Sequence, residues 1–266
     1  MNPLITLTTD FGTDSPYVAA MKGVILSRNP AATIVDITHA IPPQNVRQGA
    51  IVWSDTLPWF PPDAIHVGVV DPGVGTARAL VYVELGGLRC LAPDNGLLSL
   101  LAARFPPKRI IRLSQPEYWL SPVSATFHGR DILAPVAAEL SLGLNPDLLG
   151  ERQAELQSLV WPEPTRNPGR ILGEIIAIDS FGNLLTNIPA AMVSGIPDPR
   201  MARLTCCGFQ IEGIQRTYGE QPHGELIAII GSSDRLEIAV VNGSAEQKTG
   251  AAIGTPVDIA WPAKSN

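Results

Sequence analysis

The sequence predicts two domains: an α/β N-terminal domain with a mainly parallel central sheet, and a smaller all-β domain after it. Three observations predict this class. Strand and helix patterns alternate over roughly the first 140 residues, as in parallel sheets covered by helices. From Leu156 onward, short β-like runs replace that alternation. With 266 residues and a hydrophobic fraction of 45%, the chain can bury a core in each domain.

The predicted elements of the first domain follow from apolar periodicity and from the Pro and Gly residues that interrupt it. Strands are predicted at Leu4–Thr8, Thr33–Ile37, Ile65–Val70 and Arg109–Leu113, with a hairpin of Ala79–Leu85 and Arg89–Ala92 around Gly86-Gly87. Helices are predicted at Tyr17–Arg28, Val46–Trp59, Leu97–Phe105 and Arg130–Leu142, the last with Gly143 as its C-cap.

A Pro-rich, poorly periodic segment, Trp161–Gly169, separates the two domains. We place the N-terminal domain at residues 1–162 and the C-terminal domain at residues 168–262. Strands of the second domain are predicted at Arg170–Asp179, Ala202–Cys207, Phe209–Ile211, Leu226–Ile230, Leu236–Val241 and Val257–Ala260. Short strands separated by Gly, Asn and Asp indicate a small barrel or sandwich.

Charge and cysteine content limit the classes of partner and the compartment. The net charge is −6 and no basic run is present, which argues against nucleic acid or an anionic membrane surface as partner. The three cysteines, Cys90, Cys206 and Cys207, have no CxxC spacing, which fits a reducing compartment. The N-terminus has no signal-peptide pattern and no apolar run reaches about 18 residues, so we expect a cytoplasmic protein.

The segment HVGVVDPGVGTAR, residues 66–78, carries the strongest local signal. A buried strand pattern ends at Asp71, a Gly-rich turn follows, and Arg78 lies beyond it. Ligands of open α/β sheets bind at the carboxyl ends of the strands, so Asp71 and Arg78 are candidates for facing one cavity. An ion pair that merely stabilises the turn explains the same residues equally well.

Two further loops carry reactive side chains. Asp10 follows the first strand, and an ionised Asp can accept hydrogen bonds from both hydroxyls of a ribose. Asp14 and Ser15 fit better as N-caps of the next helix. His128 precedes a Gly at the start of a predicted helix, where its imidazole is either displayed to a ligand or bonded to the backbone.

A metal site is the less favoured use of these carboxylates. Asp36 and His39, three residues apart, could join Asp10 and Asp14 as ligands. No HxH or HExxH pattern accompanies them. We therefore expect no metal and no cofactor.

The second domain offers weaker candidates, each of which also reads as an ordinary turn. Asp179 and Asn183 lie in a loop after a strand, and the amide of Asn can both donate to and accept from an adenine edge. Tyr218 provides an aromatic ring for stacking. Ser232, in Gly231-Ser232-Ser233-Asp234, could bind a carboxylate.

In combination these segments resemble a known family. The motifs TDFG, DITH, DPGVG with Arg78, PDNGLL, FHGRD, IDSFGN and GSS before LEIA occur in this order along almost the whole chain. They resemble the S-adenosylmethionine hydroxide adenosyltransferases, which are similar to the fluorinating and chlorinating enzymes that use the same substrate. The resemblance implies a C-terminal β-barrel and a homotrimer that binds S-adenosylmethionine between subunits.

The resemblance also implies residue roles. It implies an Asp-Arg-His triad, here Asp71, Arg78 and His128. Asp10 matches the residue that binds the ribose hydroxyls. The remaining matches lie in the second domain: Asn183 and Tyr218 bind the adenine, while Asp179 and Ser232 bind the amino and carboxylate groups of methionine.

Two departures bear on the reaction. Halogenating relatives have Tyr in place of Asp71, and the fluorinating ones have Ser in place of Gly129; the charge of Asp71 would repel a halide. Arg235 stands near a position where an aromatic residue is expected. The expected function is hydrolysis of S-adenosylmethionine to adenosine and methionine, with Asp71 or His128 taking the proton. The alternatives are a non-catalytic sensor of adenosine or S-adenosylmethionine, a halide-using synthase and a metal-dependent hydrolase.

Overall fold

The computed structural model describes residues 3–262, which form two compact units, one up to residue 159 and one from residue 160. Within the described residues no helix is long and apolar enough to cross a membrane. The three cysteines are free thiols, with Cys90 and Cys206 buried and Cys207 exposed.

The first unit is built on one six-stranded sheet. Its strands are β1 (Leu4–Thr9), β2 (Thr33–Thr38), β3 (Ile65–Val69), β4 (Leu80–Leu85), β5 (Leu88–Pro93) and β6 (Pro107–Arg112). Their spatial order is β2-β1-β3-β5-β4-β6. The pairs β2–β1, β1–β3 and β3–β5 are parallel, whereas β4 pairs antiparallel with both β5 and β6.

The sheet is therefore mixed, and the expectation of a mainly parallel sheet is corrected. The cause is the hairpin turn at Gly86-Gly87, where both residues have positive φ, 56° and 87°. A two-residue turn of this kind can join only antiparallel strands, and glycine adopts positive φ without a steric penalty. β4 thus reverses direction between β5 and β6.

Helices cover both faces of this sheet, each over its own core. They are α1 (Pro16–Arg28), α2 (Val46–Thr56), α3 (Ser99–Arg104) and α4 (Ala134–Ser141). α1 and α4 pack with Ile5 and Leu7 on one face, while α2 and α3 pack around Trp53 on the other. Ser15 caps α1 by accepting a hydrogen bond from the Tyr17 N–H, as predicted.

Two helix predictions need correction, and proline is the reason in both. α2 stops at Thr56 and a 3₁₀ turn, Leu57–Trp59, replaces its predicted last turn, because Pro58 lacks the N–H that would continue it. The predicted helix Arg130–Leu142 instead begins with a π-helical turn, Gly129–Leu133. Pro135 offers the Asp131 carbonyl no N–H, and that carbonyl accepts from the Leu120 N–H at 2.8 Å.

The second unit is a nearly closed, barrel-like sheet. Its strands are β7 (Thr165–Asn167), β8 (Arg170–Ile178), β9 (Leu184–Pro189), β10 (Arg203–Cys206), β11 (Phe209–Glu212), β12 (Ile214–Gln215), β13 (Leu226–Ile230), β14 (Arg235–Val240) and β15 (Pro256–Ala260). The order is β11-β10-β15-β8-β9-β14-β13-β12, with β7 beside β8. β11 also contacts β13, so the sheet curves around a core that includes Leu204 and Ile238.

The predicted barrel of the second domain is present, with two short helices in its connections. Two short helices, α5 (Ala190–Ser194) and α6 (Ala245–Thr249), accompany the strands. Ser244 caps α6 by accepting from the Gln247 N–H at 3.1 Å, and Gly250 ends it in the left-handed conformation. Both helices lie in connections, so the sheet itself is unaffected.

Candidate active site

The loop that follows β3 places Asp71 and Arg78 in contact. Arg78 Nε donates to Asp71 Oδ1 at 2.8 Å and to Oδ2 at 2.9 Å, and Arg78 Nη2 also donates to Oδ2. The two side chains are only 6% and 11% exposed. A paired, nearly buried carboxylate and guanidinium hold each other in a fixed orientation.

Gly75 explains why this loop lies against the segment that carries His128. Its φ is +79°, and a Cβ on it would lie 2.5 Å from the Ala125 carbonyl oxygen. Only glycine permits both the turn and the close approach. On the strand side, the Asn95 side chain donates to the Val70 carbonyl at 2.8 Å, which fixes the backbone just before Asp71.

His128 is the third member of the cluster. Arg78 Nη2 lies 2.8 Å from His128 Nδ1, and because a guanidinium can only donate, Nδ1 is the acceptor. The proton of the neutral imidazole is therefore on Nε2. Burial, followed by the charge of Arg78, lowers the pKa of His128 below its ordinary value, which favours this neutral form.

A cavity of about 70 Å³ opens beside these side chains. Its lining comprises Asp10, Phe11, Val69, Asp71, Val74, Thr126, Phe127, His128 and Gly129. Such a volume accommodates a few water molecules, each of which needs about 10–15 Å³ when measured this way. It is well below the roughly 300–1,000 Å³ of pockets that enclose whole ligands. This cavity can hold a nucleophile and the edge of a substrate.

Asp10 enters the cavity from the loop after β1. Its Oδ2 accepts the Gln44 N–H at 2.7 Å. A carboxylate has about four acceptor positions, so this contact leaves Asp10 capacity for the two hydroxyls of a ribose. Asp14 is exposed on the same loop and does not line the cavity.

Asp36 and His39 come together outside this cavity. His39 Nε2 lies 3.0 Å from Asp36 Oδ1, and Lys22 Nζ pairs with Asp36 Oδ2 at 2.5 Å. Among the described residues, no group of three or more His, Cys, Asp and Glu side chains has the geometry to hold a metal ion. The partners of Asp36 are a lysine and a histidine, so its carboxylate is already engaged by side chains of the protein.

The second unit contains a separate, larger pocket of about 590 Å³. It is lined by Phe181, Asn183, Tyr218, Val240, Asn242, Gly243 and Ser244. Asn183 and Tyr218, both predicted from sequence, therefore meet in one pocket. Phe181, which is 77% exposed, was missed; its position inside the IDSFGN loop is the signal that could have identified it.

Asp179 stabilises the loop that carries Phe181 and Asn183. It accepts from the N–H groups of Phe181 and Asn183 at 2.8 and 2.9 Å, and from Asn183 Nδ2 at 2.8 Å. These contacts fix the Asn183 amide, which is only 7% exposed, with its oxygen available to a donor. Asp179 itself is not among the lining residues, so its predicted contact with an amino group is not evident from the pocket.

Ser232 lies on the turn between β13 and β14, and Arg235 is the first residue of β14; neither lines that pocket. The turn lies against Glu237, a 7% exposed carboxylate whose Oε1 would be 1.7 Å from a Cβ on Gly231. Burial, together with the charges of Glu237 and Asp179, raises the pKa of Tyr218.

Comparison with known proteins finds family models that match both units. The N-terminal domain model of the SAM hydroxide adenosyltransferases matches residues 5–150, and the C-terminal domain model matches residues 173–258. An (R)-S-adenosyl-L-methionine hydrolase of Thermus thermophilus is 40% identical over 268 residues, covering 97% of this chain and 100% of the relative. A fluorinase of an Actinoplanes species is 29% identical over 214 residues, covering 70% of this chain and 72% of the relative.

A solved structure supports the same assignment. The crystal structure of an uncharacterized conserved protein from Thermotoga maritima superposes with a TM-score of 0.91 at 34% identity, covering 97% of this chain and 99% of that one. Family models thus match both units, and full-length relatives share the sequence and the fold. This chain belongs to the S-adenosylmethionine hydroxide adenosyltransferase family.

Proposed function

We propose that this protein is an enzyme that hydrolyses S-adenosyl-L-methionine to adenosine and L-methionine. The observation that carries the proposal is the contact of Asp71, Arg78 and His128 beside a cavity of about 70 Å³, large enough for the attacking water. Relatives that match nearly the full chain are named (R)-S-adenosyl-L-methionine hydrolases, so we further propose that the (R) form at sulfur is the substrate.

The main task of the enzyme in this reaction is to position the nucleophile, a water molecule. The oxygen of water attacks ribose C5′, and the electrons of the C5′–S bond leave with sulfur, which turns the sulfonium into neutral methionine. Because the leaving group needs no protonation, the only proton to manage is that of the water. No cofactor is needed for this displacement.

We assign proton acceptance to Asp71. His128 Nδ1 already accepts from Arg78, and the proton of its neutral form occupies Nε2, so neither ring nitrogen is a ready base. Arg78 holds the carboxylate in place through two donors and compensates its charge. His128 Nε2–H is then a donor that can orient the water oxygen.

The substrate contacts extend over both units. Asp10 accepts from the two ribose hydroxyls at the cavity. Adenine stacks on Tyr218 and Phe181, with the Asn183 amide oxygen accepting from its amino group. Methionine is held near Asp179 and Ser232, as the family resemblance implies. We propose a homotrimer in which different subunits complete each site, since neither pocket alone provides every contact; a cytoplasmic location stays a prediction.

The nearest rival is a halide-using synthase, and the residues at positions 71 and 129 argue against it. Asp71 places a carboxylate where a halide would have to lie. A Cβ on Gly129 would lie 3.2 Å from both methyl carbons of Val69, so the Ser of fluorinating enzymes has little room here. A non-catalytic sensor would have no use for the aligned Arg78–His128 contact.

One incubation separates these functions. The protein is mixed with S-adenosylmethionine, with and without chloride or fluoride and with and without a metal chelator, and products are resolved by chromatography. Equimolar adenosine and methionine, unaffected by halide and by chelator, is the expected result. Binding without products would indicate a sensor, 5′-halogenated adenosine a synthase, and loss of turnover in chelator a metal-dependent hydrolase.

A further inference from the structure

The DITH motif has no part in the proposed chemistry, yet its side chains are bonded to the loop that carries Asp10. His39 is buried, and its Nδ1 lies 2.9 Å from Thr9 Oγ1. Its Nε2 lies 3.0 Å from Asp36 Oδ1. One imidazole therefore joins the end of β1 to the end of β2.

The contacts on the two sides of the His39 ring differ in kind. Nδ1 shares a hydrogen bond with the Thr9 hydroxyl, whose oxygen also accepts the Phe11 N–H at 3.3 Å. Nε2 lies 3.0 Å from the Asp36 carboxylate without the geometry of a hydrogen bond. Burial alone would raise the pKa of Asp36, but the neighbouring Lys22 and His39 side chains outweigh it, and the net shift is downward.

Backbone contacts join the same two segments. The Gly12 N–H donates to the His39 carbonyl at 2.8 Å, and the Gln44 N–H donates to Asp10 Oδ2 at 2.7 Å. Residues 9–12 are thus held on both sides of Asp10 by residues 39–44. Two members of that loop, Asp10 and Phe11, line the small cavity.

We propose that His39 is a positioning residue that holds residues 9–12 so that Asp10 meets the ribose hydroxyls. Thr9 is fully buried, so its hydroxyl cannot serve as a nucleophile despite its His and Asp partners. The contacts among Thr9, His39, Asp36 and Lys22 therefore affect substrate binding only through the position of Asp10. This inference rests on the ribose-binding role given to Asp10 in the proposed function.

His66 is a matched control. It is also buried, and its Nδ1 lies 2.9 Å from Thr6 Oγ1, the same distance as in the His39–Thr9 pair. Its contact joins the middle of β3 to the middle of β1 and does not reach residues 9–12. His66→Asn therefore removes a comparable buried imidazole without touching the loop.

The test measures adenosine affinity by calorimetry together with kcat and KM. His39→Ala is expected to weaken adenosine binding and raise KM by about 3- to 10-fold, the effect of losing one hydrogen bond, while kcat stays within about 3-fold. In His39→Asn the amide can take the place of Nδ1 and keep the Thr9 contact, so most of the affinity returns. His39→Gln reaches only the Nε2 position and should resemble Ala. His66→Asn should change neither constant per folded molecule.

A double-mutant cycle shows whether His39 acts through Asp10. In the Asp10→Ala background, His39→Ala is expected to have no further effect on the adenosine Kd. An unchanged Kd in His39→Ala or His39→Gln, or an equal loss with and without Asp10, would overturn the inference. Wild-type protein that binds adenosine but hydrolyses nothing would overturn the proposed function and leave this inference standing. Wild-type protein that binds no adenosine would overturn both.

Discussion

Replacing Asp71 by Asn tests whether its carboxylate accepts the proton of the attacking water. Ala is the poorer choice, because Asp71 and Arg78 are only 6% and 11% exposed. Removing one partner of so buried a pair costs about 3–5 kcal/mol, against a typical total stability of about 5–15 kcal/mol. Asn keeps the shape and one oxygen that can accept from Arg78, and removes the charge and the basicity.

The expected loss of kcat can be estimated from the proposed role of Asp71 as a general base. A positioned general base contributes a factor of roughly 10²–10⁴, which corresponds to about 2.7–5.5 kcal/mol of activation free energy. Asp71→Asn should therefore lower kcat by about 100- to 10,000-fold. The adenosine Kd should stay within about 3-fold of wild type, because Asp10, Asn183 and Tyr218 are unchanged.

The assay follows adenosine by chromatography at saturating substrate, with thermal unfolding to correct for folded protein. Asp258→Asn is the control, since it removes another carboxylate bonded in two places to an arginine, Arg170, and Asp258 does not line the cavity. It should retain wild-type kcat. An Asp71→Asn enzyme that keeps kcat within about 3-fold of wild type would refute the assignment of Asp71 as base.

Three further predictions follow from the same geometry. Gly129→Ser should cost about 1–3 kcal/mol of stability by overpacking against Val69 and Met21 and should slow turnover without producing a halogenated product; unchanged melting temperature and turnover would contradict this. The account uses the neutral form of His128, whose pKa lies below the ordinary 6.5. We therefore expect kcat/KM to fall only as the pH drops below 6.5. A midpoint at or above pH 7 would contradict the role given to His128. Co-refolded Asp71→Asn and Asn183→Ala chains should recover about one quarter of wild-type activity if neighbouring subunits of a ring complete each site, whereas sites formed within one subunit would recover none.

The sequence predicted those parts of the fold that depend on local pattern. β1, β3 and the β4–β5 hairpin follow from apolar runs and from Gly86-Gly87. β9 was missed because Thr186, Asn187 and Pro189 interrupt its apolar pattern. The structure accommodates them through distant partners: the Thr186 hydroxyl donates to the Leu236 carbonyl, and Asn187 Oδ1 accepts from the Glu174 N–H. Contacts between residues so far apart in the chain cannot be predicted from a local sequence pattern.

Some residues of the candidate site could also be predicted from local sequence, whereas others could not. Asp71 and Arg78 could be paired from one loop, but His128 lies 50 residues beyond Arg78 and joined them only through the family resemblance. Which nitrogen of His128 carries the proton was inferred from the contact between Arg78 Nη2 and His128 Nδ1, and such a contact cannot be read from the sequence. Likewise, Asp36 and His39 look like metal ligands in the sequence, and only the contacts with Thr9 and Lys22 show an alternative use.

The central claim is that water attacks ribose C5′, and isotope incorporation tests it most directly. S-adenosylmethionine is incubated with the enzyme in water enriched in ¹⁸O, and both products are analysed by mass spectrometry. The account predicts one ¹⁸O atom in adenosine, at the 5′ oxygen, and none in methionine beyond the background exchange of its carboxylate. Absence of adenosine, or adenosine formed without ¹⁸O at the 5′ position, would contradict it.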